Sequence, residues 1–341
     1  FAAARVAALP LDEVAKVLPM SADRWLVHRR SMERGMAVVE LLVVDAQLAP
    51  IWRLPVPDPY HGVHAVTPDL SLVALSLQHR VLLLDGGGQQ LASFPHQPWG
   101  MGDPDSGCCA FSPCGRYLWA TVPTWPQGSW QANDELWLID LASLSVVDRR
   151  KLEVCAAGST PVQHPDGHTV GLDIGEGQDG AAIRWARADG GHIGVRFAPG
   201  DDRCLAAVHP DGQEYLTTPH SNDRLQALAR HRFTDDRPIE RLASAAAFGP
   251  SEWWGHEAGY LTTELILAVT YGGMRHLLVQ RAPLRLLGEV IYPHVGAAVC
   301  PEGLCPEGQP RRWPVAAHQG TWLTRSSQGL QRWMLLPHLA R

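Results

Sequence analysis

The residues of this chain best suited to chemistry are histidines and carboxylates that recur at matched places. Seven times the sequence returns to a short turn between apolar runs. Seven residues ahead of that turn stand His61 in the second copy and His294 in the seventh, and His64, Asp105, Asp202 and Glu13 lie in the corresponding stretches. Neutral imidazoles beside one or two carboxylates can hold a divalent metal, or can serve as acid and base near neutral pH. His61, His64, His294, Asp105 and Asp202 are therefore candidate catalytic residues, and His61 with His294 are the candidate metal ligands. No other cofactor is called for. The plain alternative is coincidence among unrelated loop residues, since the chain holds 16 histidines.

A second kind of chemistry is contact chemistry. Trp125 and Trp130 sit in the insertion "TVPTWPQGSWQAND", Trp125 directly before Pro126 and Trp130 two residues after Gly128, as expected of a shaped surface loop. Exposed tryptophan offers a large contact area for little lost rotamer freedom. The other outcome is that both rings fold back onto their own sheet. Trp253 and Trp254 in "GPSEWWGHEAGY" must point opposite ways if that segment is extended, so one of them is a candidate contact. Arg311 and Arg312 close the segment "CPEGLCPEGQPRRW" and could meet an acidic partner. Its two cysteines are separated by four residues but lack the further ligands zinc needs, so it reads as a duplicated turn.

These residues need a scaffold, and the repeat supplies one. The copies "MSADRWL", "VTPDLSLVAL", "FSPCGRYL", "QHPDGHTVGL", "VHPDGQEYL", "FGPSEWW" and "VCPEGL" place their anchors at Ala22, Pro68, Pro113, Pro165, Pro210, Pro250 and Pro301. Proline presets the first corner of a turn, Asp bonds its own backbone, and Gly accepts positive φ, so Pro-Asp-Gly between apolar runs signals a hairpin. After each anchor comes another apolar run with an acidic or polar stop, such as "AVVELLVVD", "VLLLD" and "LWLID". A further short run follows most of them, which makes four strands per copy.

A period of 40 to 50 residues is that of propeller blades, which cannot bury an apolar face alone and stack on their neighbours. The expected fold is all-β: one seven-bladed β-propeller over residues 1–341. Six blades with one irregular copy, or tandem sandwiches, are the competing architectures. The seventh copy ends with its third strand, "LQRWMLL", so "ARVAALPL" near the start is expected to complete the last blade and remove a sheet edge.

The "AFSPCGRYL" hairpin with its "LWLID" strand, and the two "HPDG" turns, resemble the WD40-type propeller superfamily. The Gly-His dipeptide of that superfamily is missing from its usual place, and "LID" or "LLD" stands where Trp-Asp would be. Other seven-bladed families therefore remain open. The resemblance implies mostly scaffolding and binding, with enzymes a minority.

Composition narrows the partners. A net charge of -6 with no cluster of Lys and Arg argues against a phosphate-backbone binder, and hence against nucleic acid. No run of eighteen apolar residues points to a membrane span. Of 29 basic residues only Lys16 and Lys151 are lysines, a skew we read as base composition of bacterial type. Seven cysteines, too sparse for a disulfide framework, suit reduced thiols in the cytoplasm. There is no nucleotide-cradling glycine loop leading from strand to helix, no His-Glu-x-x-His and no Gly-x-Ser-x-Gly.

Two functions follow. One is a protein-binding scaffold or interaction module that uses its rim loops. The other is a small-molecule hydrolase, lyase or isomerase with a histidine site, with or without a divalent metal, at the mouth of the axial channel.

Overall fold

The computed structural model describes the chain except residues 12–13, 22, 34–35, 58–61, 100–106, 125–132, 155–157, 177–179, 199–201, 221–222, 224, 250, 272–274, 294–312, 319, 327–328 and 337–341. It is an all-β, seven-bladed propeller. The strands are β1 (Ala3–Leu9), then β2 (Val14–Ser21), β3 (Arg24–Glu33), β4 (Met36–Val44) and β5 (Pro50–Val56) of the first sheet. The second sheet holds β6 (Ala65–Val66), β7 (Leu72–Ser76), β8 (Arg80–Asp85) and β9 (Gln90–Pro95), and the third β10 (Cys109–Phe111), β11 (Tyr117–Thr124), β12 (Asn133–Asp140) and β13 (Ser145–Lys151). The fourth is β14 (Gly158–Gln163), β15 (Thr169–Gly175), β16 (Ala181–Asp189) and β17 (His192–Phe197). The fifth is β18 (Arg203–Val208), β19 (Glu214–Pro219), β20 (Ala227–Arg232) and β21 (Pro238–Ala243), followed by a short helix α1 (Ser244–Phe248). The sixth is β22 (Trp254–Tyr260), β23 (Leu265–Thr270), β24 (His276–Gln280) and β25 (Arg285–Glu289). The seventh takes β26 (Trp313–His318), β27 (Thr321–Ser326) and β28 (Gly329–Leu335), with β1 as its outermost strand.

The expected N-terminal completion of the last blade is present. β1 runs antiparallel to β28, from Ala3 opposite Leu335 to Leu9 opposite Leu330. Gly329, at φ 103°, makes room for it, because a Cβ there would stand 2.2 Å from the Leu9 carbonyl oxygen.

The chain divides into two compact units, one of Phe1–Arg53, Gln213–Pro219 and Asp223–Arg341, the other of Leu54–Gly212 and His220–Asn222. In the first, Trp25, Val27, Leu42, Leu323 and Leu330 form one buried cluster, and Leu261, Leu267, Leu278, Trp322 and Trp333 another. In the second, Val81, Leu83, Phe111, Leu118, Val122 and Ile139 pack together. Such clusters draw on neighbouring sheets, as stacked repeats require.

Turn chemistry explains why the copies look alike. Asp45 directly follows the third strand of its sheet and Asp85 and Asp140 end theirs, and the Oδ1 of each accepts two backbone N–H groups of the turn that follows: Gln47 and Ala49, Gly87 and Gln89, Ala142 and Ser143. In the fourth copy the Asp166 carboxylate accepts the His168 and Thr169 N–H groups while Gly167 sits at φ 75°.

The last two copies correct the sequence register. Pro250 and Pro301 lie outside the described residues, and the innermost strands of the last two sheets begin only after them in the chain, β22 at Trp254 and β26 at Trp313. The inner hairpin of the sixth sheet is the Leu261–Glu264 turn, and that of the seventh contains Gly320. No Pro-Asp-Gly is needed in the former because the Thr262 hydroxyl accepts the Glu264 and Leu265 N–H groups, doing Asp's job. In the sixth copy a threonine, and not a proline, closes the inner hairpin.

Candidate functional site

The register shift moves Trp253. Sequence spacing puts "GPSEWW" at the inner-hairpin end of its blade. In the structure the segment leads into β22 and lies at the other end, beside the link between β23 and β24. Its two tryptophans divide as extended backbone dictates. Trp254 is 2% exposed and its indole N–H donates to the Leu242 carbonyl at 2.8 Å, so it belongs to the core and cannot be a contact. Trp253 is 51% exposed.

Its neighbour across the strand pair was missed by sequence reasoning. Trp254 and Thr270 are register partners, and the Tyr271 N–H donates to the Trp253 carbonyl at 2.8 Å. Tyr271 therefore stands opposite Trp253, and it is 62% exposed. The legible signal was the run "LILAVTYGG", in which an aromatic follows the last apolar position of a strand and precedes two glycines.

A bulge in β22 brings a third ring. Register slips between Trp254 and Ala258, and the strand runs so close to its neighbour at Gly255 that a Cβ would lie 2.7 Å from Val269 Cγ2 and 2.9 Å from the Thr270 carbonyl oxygen. Bulges re-aim side chains. Here the exposed His256 ring meets Tyr271 edge-on at 6.3 Å, with its Nδ1 3.2 Å from the Pro219 carbonyl oxygen. Acidic groups flank this strip. Arg275 is bound by Glu252 at 2.5 Å and by Glu289 at 2.9 Å, two carboxylates to one guanidinium. Burial pushes the Glu257 carboxyl above its ordinary range.

The first unit also contains a buried ionic cluster. The Glu214 carboxylate accepts from Arg230 Nη2 at 2.6 Å, Arg281 Nε at 2.9 Å and the Tyr260 hydroxyl at 2.9 Å. Burial opposes ionisation, but the two guanidiniums and the phenol outweigh it and hold Glu214 down at about 2. Tyr260 is pushed the other way, by burial and by the carboxylate, and stays neutral. Every strong partner in this cluster is already engaged, so it serves as a fastening. Nearby in the same unit, the buried His276 Nδ1 is bonded to the Tyr292 hydroxyl, which also accepts the Trp322 indole N–H at 2.9 Å.

In the second unit His64 is fully buried, and its Nδ1 accepts the Ser76 N–H at 3.1 Å, which ties down the innermost strand of the second sheet. Asp202 precedes β18 at φ 53°, accepts the Ala181 N–H at 2.7 Å and faces His220 Nδ1 at 3.1 Å. His220, at the end of β19, had no signal in the sequence. His164 and His209 act as turn residues, their Nδ1 atoms accepting the Asp166 and Asp211 N–H groups. Cys108 and Cys109 are buried. His61, His294, Asp105, Glu13, Trp125, Trp130, Arg311 and Arg312 lie outside the described residues. Among the described residues, no group of three or more His, Cys, Asp or Glu is arranged to hold a metal, and no helix is long and apolar enough to cross a membrane.

No family model matches the chain, and no curated protein matches its sequence. Solved structures do match its fold. The WD40 domain of Pan2 from Neurospora crassa superposes with a TM-score of 0.60 at 8% identity, covering 99% of this chain and 96% of that one. The β-propeller domain of Cps50 (Swd1) from Myceliophteria thermophila gives 0.58 at 12% identity, covering 96% and 99%. The β-propeller domain of the Trilobed protease from Pyrococcus furiosus gives 0.52 at 10% identity, covering 98% and 99%. The chain has a WD40-like seven-bladed propeller fold, similar to that of a WD40 domain and of a protease's β-propeller domain.

Proposed function

We propose that this chain is a protein-binding propeller scaffold whose contact edge includes the loop end of the sixth sheet. The observation that carries the reading is the Trp253 and Tyr271 pair. Two large aromatic side chains are held opposite one another by a backbone hydrogen bond, and both are more than half exposed. Leaving them in water costs the folded chain hydrophobic free energy, whereas rigid aromatics at a rim are the residues on which interfaces concentrate binding energy. Trp125, Trp130, Arg311 and Arg312 are proposed as further contacts, and the cytoplasm as the place of action.

The test is quantitative affinity capture from the host cell with wild type, Trp253→Ala/Tyr271→Ala and Trp125→Ala/Trp130→Ala. Loss of the same specific polypeptide from either double variant supports the scaffold. Retention of every captured protein by both overturns it.

The Asp202–His220 pair favours a second reading, small-molecule acid–base catalysis, because a carboxylate against Nδ1 fixes the imidazole's orientation. A hydrolase, lyase or isomerase activity that falls on His220→Gln would bring that reading forward. Metal analysis of wild type beside His61→Ala/His294→Ala tests its metal-dependent form.

A further inference from the structure

We propose that the Trp253 and Tyr271 platform takes a cationic side chain, arginine or lysine, from a basic segment of a partner protein. This deepens the scaffold reading and rests on it. Three observations point to a cation in preference to an apolar group.

The first is the presentation of the rings. Trp254 and Thr270 are buried register partners, so Trp253 and Tyr271, one step further along each strand, share the opposite, solvent side of the pair. Directly opposed residues have Cβ atoms about 5 Å apart. That spacing lets one long side chain touch both rings, and the edge contact of His256 with Tyr271 extends the strip.

The second is what the chain does with its other exposed ring. Among the described residues only Phe197 joins Trp253 and Tyr271 as a strongly exposed aromatic, and the Arg184 guanidinium already lies 4.5 Å above its face. No guanidinium of the described residues is placed over Trp253 or Tyr271. Their faces carry the negative quadrupole that attracts a cation, and tryptophan is the strongest such acceptor.

The third is charge. Glu252, next to Trp253 in the chain, shares the Arg275 guanidinium with Glu289 at this end of the sixth sheet, which sets carboxylate charge beside Trp253. The whole chain carries -6 as well. An acidic partner segment would be repelled, and an apolar one would leave that charge partly desolvated without compensation. A basic segment satisfies rings and carboxylates together.

The probe is the peptide acetyl-Gly-Ser-Arg-Gly-Arg-Ser-Gly amide, compared with the same peptide carrying citrulline, a neutral isostere, at both arginine positions. Binding is followed by the Trp253 indole cross-peak in ¹H–¹⁵N NMR, assigned with Trp253→Phe. The arginine peptide is expected to move that peak, with affinity falling as salt is added. Citrulline replacement, Tyr271→Ala and Glu252→Gln should each weaken binding by between about threefold and thirtyfold, the range of a cation–π contact with electrostatic support. Unchanged melting temperatures of the variants keep the comparison one of binding alone.

Equal binding of both peptides overturns the cation and leaves an apolar docking edge. Absence of any peak movement up to millimolar peptide also overturns it. In either case the capture experiment above decides the scaffold reading separately, because it asks whether a partner is held, whatever the chemistry of its contact.

Discussion

Replacing Glu214 with Gln removes one negative charge from between two guanidiniums, and its cost can be worked from the structure. The Glu214 side chain is 4% exposed and that of Arg230 6%, so water cannot take over the lost interactions. Holding the carboxyl near 2 against an ordinary 4.5 stabilises the folded state by about 3 kcal/mol, at about 1.4 kcal/mol per pH unit. Breaking a buried ion pair by removing one partner costs about 3 to 5 kcal/mol in general. Arg230 keeps Glu240 at 3.2 Å and Arg281 keeps Glu264 at 3.8 Å, which argues for the lower end. With an unfolding entropy of about 2.1 cal/mol/K per residue over 341 residues, a loss of about 3 kcal/mol lowers Tm by about 4 to 5 °C. The pH dependence has a definite sign. A depressed folded-state pKa contributes its full stability above the unfolded value of 4.5 and loses it as pH falls toward 2. Differential scanning calorimetry at pH 7, 5, 4 and 3.5 should show a constant gap between wild type and Glu214→Gln down to about pH 4.5 and a closing gap below it. A Tm difference under about 1 °C at pH 7, or a gap indifferent to acid, would refute the assignment of Glu214 as an ionised, stabilising carboxylate.

Trp254→Ala should cost about 3 to 5 kcal/mol in denaturant melts through the cavity it opens, whereas Trp253→Ala should stay within about 0.5 kcal/mol, because one ring is buried and the other stands in water. Gly329→Ala would drive a Cβ into the Leu9 carbonyl oxygen and strain a φ of 103°. Hydrogen exchange should then show β1 released from β28 while the exchange of β3 and β4 stays slow. Thr262→Ala removes the acceptor of two turn N–H groups and should lower stability by about 1 kcal/mol by urea titration.

Sequence by itself determined the repeat and what the repeat implies. Asp45, Asp85 and Asp140 are readable because a turn closed by a carboxylate is local chemistry, complete within five residues. The strands "AVVELLVVD", "VLLLD" and "LWLID" were legible for the same reason, and so was the need for "ARVAALPL" to finish the last sheet. Local chemistry also misled: Pro250 copied the pattern of a hairpin while Thr262 made one, and Trp253 was placed at the wrong end of its blade. Only tertiary structure could set Tyr271 against Trp253, bring Arg230, Tyr260 and Arg281 onto Glu214 from as far as 67 residues away, or turn His220 to Asp202. Such contacts lie across strand pairs or between neighbouring sheets, and which residues meet there depends on register. A one-residue slip in register turns every side chain of a strand to the other face, and no local sequence signal measures it.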